Sequence, residues 1–263
     1  MRITAIMNLK GGVAKTTTVV NMAAILAAKG SKVLVIDGDA QCNATEFLGG
    51  SQTKPGLAEL LRGECSEKRP AELQHTTVEG VDLIGANESL MDLDLSKVEG
   101  GDAKVNCLKE VREILEQELP ADFAKAFPNP YDYCLIDCPT AFSAATAAAL
   151  LAADDVIIPM KLDAFSIRGM SVLFRQIENM RQINPDLTIA GILPTMWYKS
   201  PETEQIENEI LRAGLPVFHH IRLSKTVDRM TLAQRPLQEI SRNSGALRDY
   251  RFFVDQYISR EVH

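Results

Sequence analysis

The chain has 263 residues, 46% of them apolar, which allows a full core and one large α/β domain over 1–263, with no second domain needed. No apolar run approaches the ~20 residues of a membrane span, and the first strand begins at Arg2, leaving no room for a signal peptide or an N-terminal helix-turn-helix module. A soluble, cytosolic protein is expected, and the net charge of −7 argues at first against nucleic acid.

In chain order, the pattern predicts a strand over 2–8, a helix over 15–29 and a strand over 32–37. Further strands read at 81–85, 131–137, 155–159 and 187–194, with helices near 104–118, 143–152, 167–183, 202–213 and 245–260. The strands are continuous apolar runs, the mark of a parallel sheet buried on both faces. A doubly wound, mostly parallel α/β sheet with helices on both faces is expected, with ligands at the carboxyl ends of its strands. The stretches from Gly49-Gly50 to Gly56 and over Glu99-Gly100-Gly101 read as surface loops.

The segment Ile3-Thr4-Ala5-Ile6-Met7-Asn8-Leu9-Lys10-Gly11-Gly12-Val13-Ala14-Lys15-Thr16-Thr17 runs from an apolar strand through a glycine turn into a helix. A turn poor in side chains lets backbone N–H groups converge on a polyphosphate at the positive end of the helix dipole. Lys15 is placed to neutralise the β and γ phosphates and the Thr16 hydroxyl to ligate Mg²⁺. The pattern GxxxxGK[ST] does not fit, because Leu9 and Ala14 stand where its glycines belong. The pattern that fits is KGGxxK[ST]T, which resembles the deviant Walker A box of the ParA/MinD superfamily, a branch of the P-loop NTPase fold. The resemblance implies an ATP-binding loop of Lys10, Gly11, Gly12, Val13, Ala14, Lys15, Thr16 and Thr17, with Lys10 reaching across a dimer interface to the partner's nucleotide. Ala14 replaces a glycine that most members carry, and alanine tolerates positive φ poorly.

After the second strand comes Asp37-Gly38-Asp39-Ala40-Gln41-Cys42-Asn43-Ala44-Thr45, with two carboxylates where the strand ends. Such acids hold Mg²⁺ and orient the attacking water at a phosphate site. The segment resembles the family's DxDPQxNAT, which implies that Asp37 supports the metal and Asp39 positions the water. Tyr131-Asp132-Tyr133-Cys134-Leu135-Ile136-Asp137-Cys138-Pro139-Thr140 is an apolar strand ending in a carboxylate and resembles the family's YDYxxIDxPP, which places Asp137 beside the cation. Lys10, Lys15 and Asp39 are thus the candidate catalytic set and Thr16, Asp37 and Asp137 the metal set.

Farther on, Ala152 to Pro159 resembles the family's AADxxxxP strand and Arg222-Leu223-Ser224 its VRLS segment. Members usually carry Ile-Pro-Arg-Asn before VRLS to help hold adenine, whereas this chain has Phe218-His219-His220-Ile221. The two histidines either stack on or hydrogen-bond the base, or are solvated loop side chains. Five cysteines (Cys42, Cys65, Cys107, Cys134, Cys138) without metal-type pairing read as reduced thiols.

Charge is unevenly distributed: residues 1–195 hold 18 basic and 26 acidic side chains, whereas 222–251 hold seven basic against three acidic. A local basic surface is therefore compatible with the acidic total. ParA-like members grip DNA phosphates without regard to sequence, and the matching positions here are Lys199, Arg222 and Lys225. The resemblance implies a partition or positioning ATPase that forms a homodimer with ATP, binds double-stranded DNA and is released when a ParB-like adaptor stimulates slow hydrolysis. It would be cytoplasmic and nucleoid-associated. Two alternatives are a MinD-like membrane-associated regulator and an ATPase that positions a protein cargo. The tail from Ser244 to His263 carries apolar residues at helical spacing but mixed charges, and is expected to dock on the sheet rather than on lipid.

Overall fold

A computed structural model describes residues 1–62, 73–93 and 131–260. Seven strands form one sheet: β1 (Arg2–Ile6), β2 (Val33–Asp37), β3 (Leu73–His75), β4 (Val81–Ile84), β5 (Tyr133–Asp137), β6 (Asp155–Lys161) and β7 (Thr188–Thr195). Their order is β3-β4-β2-β5-β1-β6-β7, all parallel except the antiparallel edge strand β3. The expected mostly parallel sheet is what forms, with β3 an addition that three residues of sequence do not announce.

Alternate strand residues point to opposite faces. Ile3, Ala5, Leu34 and Ile36 join one core cluster, and Ile6, Val33, Val35 and Leu135 join the other. Helix α1 (Lys15–Ala28) covers the second face, and the short α2 (Asn43–Phe47) follows β2. The first face receives α3 (Leu57–Leu61), α4 (Ala144–Ala152), α5 (Ala164–Arg181) and α6 (Pro201–Arg212). On the second face lie α7 (Lys225–Ala233), α8 (Leu237–Ile240) and α9 (Gly245–Arg260). Local chemistry sets the starts: Ser143, Ser200 and Ser224 accept from backbone N–H groups at the heads of α4, α6 and α7, and Pro201 opens α6.

Helix α9 docks as expected, burying Leu247, Tyr250, Phe253, Val254 and Tyr257. The Tyr257 hydroxyl sits 2.6 Å from that of Thr4 and accepts from Arg2 Nε at 3.1 Å, while Arg2 also donates twice to the buried Asp155. One polar knot thus fastens β1, β6 and α9.

The stretch 49–56 is a loop, but a packed one. A side chain at Gly50 would meet Leu83 at 2.4 Å, and one at Gly56 would meet the Gly85 carbonyl at 2.1 Å. Cys42, Cys134 and Cys138 are buried free thiols. The predicted helix over 104–118, the loop at 99–101, and Cys65 and Cys107 lie outside the described residues.

Candidate active site

The strand order places β5 between β1 and β2, with Asp37 in register with Asp137 and Ile6 with Asp137. After β5 the chain crosses β1 to reach β6, so the exits of β1, β2 and β5 meet at a topological switch point. Three segments far apart in sequence are brought together there.

The loop from 7 to 14 is held at both flanks. Asn8 Nδ2 donates to the Pro159 carbonyl at 2.8 Å, Asn8 Oδ1 accepts from the Lys10 N–H at 2.9 Å, and Thr195 Oγ1 donates to the Val13 carbonyl at 3.1 Å. Gly12 takes φ +69°, and Ala14, immediately before α1, takes φ 67° and ψ 35°, the left-handed conformation that its replacement of glycine made unfavourable. Gly11 and Gly12 are exposed, and Val13 is buried. Thr17 lies half-buried in the first turn of α1, its carbonyl accepting from Asn21.

Lys15 is 7% exposed; its Nζ donates to the Lys10 carbonyl at 3.3 Å, and burial lowers its pKa against the opposing pull of Asp137. Thr16 Oγ1 donates to Asp137 Oδ2 at 2.6 Å, whereas Asp137 Oδ1 is buried without a hydrogen-bond partner among the described residues. Asp37, fully buried, accepts from Thr45 N–H at 2.8 Å, Thr45 Oγ1 at 2.7 Å and Asp39 N–H at 3.1 Å. Burial still pushes the Asp37 pKa up to about 6, and burial followed by the Asp37 charge raises Asp137 well above the carboxylate range. Asp39 is half-buried just beyond and accepts from Gln41 N–H at 2.9 Å.

Two buried carboxylates, an orphaned oxygen and a hydroxyl suit a divalent cation. Among the described residues, no group of three or more His, Cys, Asp or Glu is placed to hold a metal. That donor set matches Mg²⁺, which keeps waters and phosphate oxygens instead of entering an all-protein cage.

Lys10 behaves differently from Lys15. Its Nζ contacts both oxygens of Asp163, at 2.9 and 2.7 Å, just beyond β6. Asp163 and Thr195 brace the site from outside every motif, and Asn8 and Thr45 from within the quoted segments without an assigned role; the signal for Asp163 is spatial, since it lies 153 positions from Lys10.

The distal candidates form a second group. An isolated bridge pairs Trp197 with Arg222, so the loop bearing Lys199 runs beside the segment bearing Arg222 and Lys225. Lys199 is 80% exposed and 3.7 Å from Glu204, and Lys225 is exposed at the first position of α7. Arg222 donates from Nε and Nη2 to Asp249 at 2.6 and 2.7 Å, lying against Gly245, where a side chain would meet its guanidinium at 2.9 Å. The adenine-segment histidines are packed: His220 stacks on Trp197 at 3.7 Å and on His219 at 4.7 Å, and Phe218 is a core residue.

Residues 1–189 match the family model described as an AAA domain. The chain is 37% identical over 217 residues to the chromosome partitioning protein ParA of Caulobacter vibrioides, covering 80% of this chain and 75% of that one. It belongs to the ParA/MinD superfamily of ATPases. It is also 35% identical over 198 residues to the sporulation initiation inhibitor protein Soj of Bacillus subtilis, covering 74% of this chain and 72% of Soj. Among solved structures, cobyrinic acid a,c-diamide synthase of Mycobacterium smegmatis with ADP and magnesium superposes with a TM-score of 0.79 at 29% identity, covering 100% of this chain and 96% of that one. Apo McdA of Cyanothece gives a TM-score of 0.79 at 23% identity, covering 98% and 99%, and shares the fold.

Proposed function

We propose that this ParA-like ATPase binds ATP with Mg²⁺ as a single P-loop domain, closes into a homodimer through Lys10, grips double-stranded DNA without sequence preference, and is released when an adaptor of the ParB kind stimulates hydrolysis. The observation that carries the reading is the convergence of Lys10, Lys15, Thr16, Asp37, Asp39 and Asp137 at one switch point. The loop from Lys10 to Thr17 would cradle the phosphates, and the magnesium-bearing structural relative and the orphaned Asp137 oxygen support a cation there. Mg²⁺ supplies neutralisation of charge on the phosphate oxygens.

Within this reading, Lys15 would neutralise phosphate charge, and Thr16, Asp37 and Asp137 would hold the metal. Asp39, half-buried at the rim, accepts a proton or hydrogen bond from the attacking water. Phosphoryl transfer needs positioning more than covalent help, so turnover stays slow until an adaptor orders the segments around Asp39 and Asp137. The residues 222–251 and the exposed Lys199 and Lys225 supply the basic face for DNA; Arg222, clamped on Asp249, shapes that face and lends it a half-exposed guanidinium. Cytoplasmic, nucleoid-associated localisation follows from DNA binding.

Nothing favours a MinD-like membrane role over this one: α9 commits its apolar face to the core, and among the described residues no helix is long and apolar enough to cross a membrane. Positioning of a protein cargo on a DNA track uses the same cycle and differs only in the adaptor.

The deciding experiment is binding of Asp39→Ala to random-sequence duplex DNA with ATP or ADP across a salt series. ATP-dependent binding that weakens steeply with salt is expected. An ATP dimer that ignores DNA would remove the DNA reading and point to a membrane or protein surface.

A further inference from the structure

The Lys10 ion pair identifies a positioning residue. Asp163 directly precedes α5, and its carboxylate takes Lys10 Nζ on both oxygens at 2.9 and 2.7 Å, with the two side chains 35% and 27% exposed. A second tie, Asn8 Nδ2 to the Pro159 carbonyl, fixes the same loop to the same strand. Lys15 meanwhile holds the Lys10 carbonyl. Both lysines are therefore engaged on protein oxygens, and Lys10 is turned toward its own chain.

We infer that Asp163 parks Lys10 on its own subunit, so that ATP-driven dimerisation requires Lys10 to exchange this carboxylate for a phosphate of the partner's nucleotide. The inference rests on the reading of Lys10 given under Proposed function. A partly exposed pair is weak enough to be exchanged yet strong enough to set a threshold, and two such pairs open per dimer. Asp163 thereby raises the nucleotide concentration at which the dimer assembles, without touching the nucleotide.

The informative substitution is Asp163→Asn, because asparagine serves a helix N-terminus as well as aspartate does and removes only the charge. Dimer formation is followed by light scattering on the full chain, titrated with a non-hydrolysable ATP analogue and Mg²⁺, alongside ADP affinity of the monomer. Asp163→Asn is expected to lower the half-dimerisation concentration by about three- to tenfold, with ADP affinity and melting temperature near those of the parent. Asp163→Glu, which restores the charge, should return the midpoint to the parental value. An unchanged or higher midpoint for Asp163→Asn, or a glutamate variant that behaves like asparagine, overturns the inference. Lys10→Ala separates the two levels: if it fails to dimerise while Asp163→Asn matches the parent, only the parking role falls, whereas parental dimerisation of Lys10→Ala removes both.

Discussion

Thr16 and Asp137 share a 2.6 Å hydrogen bond that uses one carboxylate oxygen and leaves the other buried with no hydrogen-bond partner among the described residues. An ionised Asp137 is therefore poorly compensated in the interior, consistent with burial raising its pKa, and a bound cation would relieve it. Asp137→Asn should raise the stability of the nucleotide-free protein in EDTA at pH 8 by about 1–3 kcal/mol. It should also abolish the rise in melting temperature on adding Mg²⁺ with ATP. Thermal unfolding with and without the metal checks both; a variant that keeps the metal-dependent rise would exclude Asp137 from the metal set.

The acids also fix a pH dependence. Burial pushes Asp37 up to about 6 and raises Asp137, so the folded chain binds protons that the unfolded chain has already lost. Through Asp37, stability of the nucleotide-free protein falls as pH rises from about 4 to about 6 and is flat above. Protons and Mg²⁺ compete for the same oxygens, so Mg²⁺-dependent ATP binding should strengthen as pH rises through about 6, where Asp37 loses its proton, and go on strengthening wherever the raised Asp137 still holds one. Calorimetric titrations over pH 5–8 test this, and affinity independent of pH would contradict it.

The two lysines should separate on mutation. Lys15→Ala removes the buried cation proposed to meet the phosphates and should reduce ATP affinity by at least about 100-fold, the scale of a lost charged hydrogen bond near 3 kcal/mol. Lys10→Ala should leave monomer binding within about threefold, because its ammonium rests on Asp163 and not in the phosphate cradle. Equal losses in a fluorescent-nucleotide assay would argue against the division.

Ala14 holds a left-handed conformation at about 1 kcal/mol relative to glycine. Ala14→Gly relieves that strain and loosens the unfolded chain, so the net change should stay within about 1 kcal/mol. Ala14→Val, β-branched at φ 67°, should cost about 1–2 kcal/mol more than alanine. Urea midpoints order the three, and a stable valine variant would show that the loop has another conformation.

Arg222 is both surface cation and clamp. Burial alone would raise Asp249, but the Arg222 hydrogen bonds hold it below the usual carboxylate range, so its contribution is present at neutral pH and lost as pH falls through that lowered value. Arg222→Ala should destabilise the fold by about 1–3 kcal/mol, whereas Lys225→Glu should leave stability unchanged and weaken binding to every DNA sequence by a similar factor. Comparing melting temperatures with salt-dependent DNA titrations distinguishes clamp from contact.

Much of this architecture was legible because most of the strands are continuous apolar runs and the three sharp motifs sit at strand exits. The order of Asp37, Asp137 and the phosphate loop followed from their place at those exits. What stayed hidden depends on distance in sequence or on brevity. Helices α2 and α8 and strand β3 are too short to show a period, and α7 begins from a serine cap inside a segment whose sequence stands out only as basic. The Lys10–Asp163 and Arg222–Asp249 pairs join residues whose proximity only the sheet order and the docking of α9 create. The histidines at 219 and 220, open to two readings in sequence, form a ladder with Trp197.

The knot of Arg2, Thr4, Asp155 and Tyr257 ties the last described helix to the strand that leads into the phosphate loop. Anything that tugs on α9 pulls on β1 through a single phenol, four residues upstream of Asn8. The nucleotide loop is thus suspended between two anchors, and strain entering at the helix reaches it without crossing the width of the sheet.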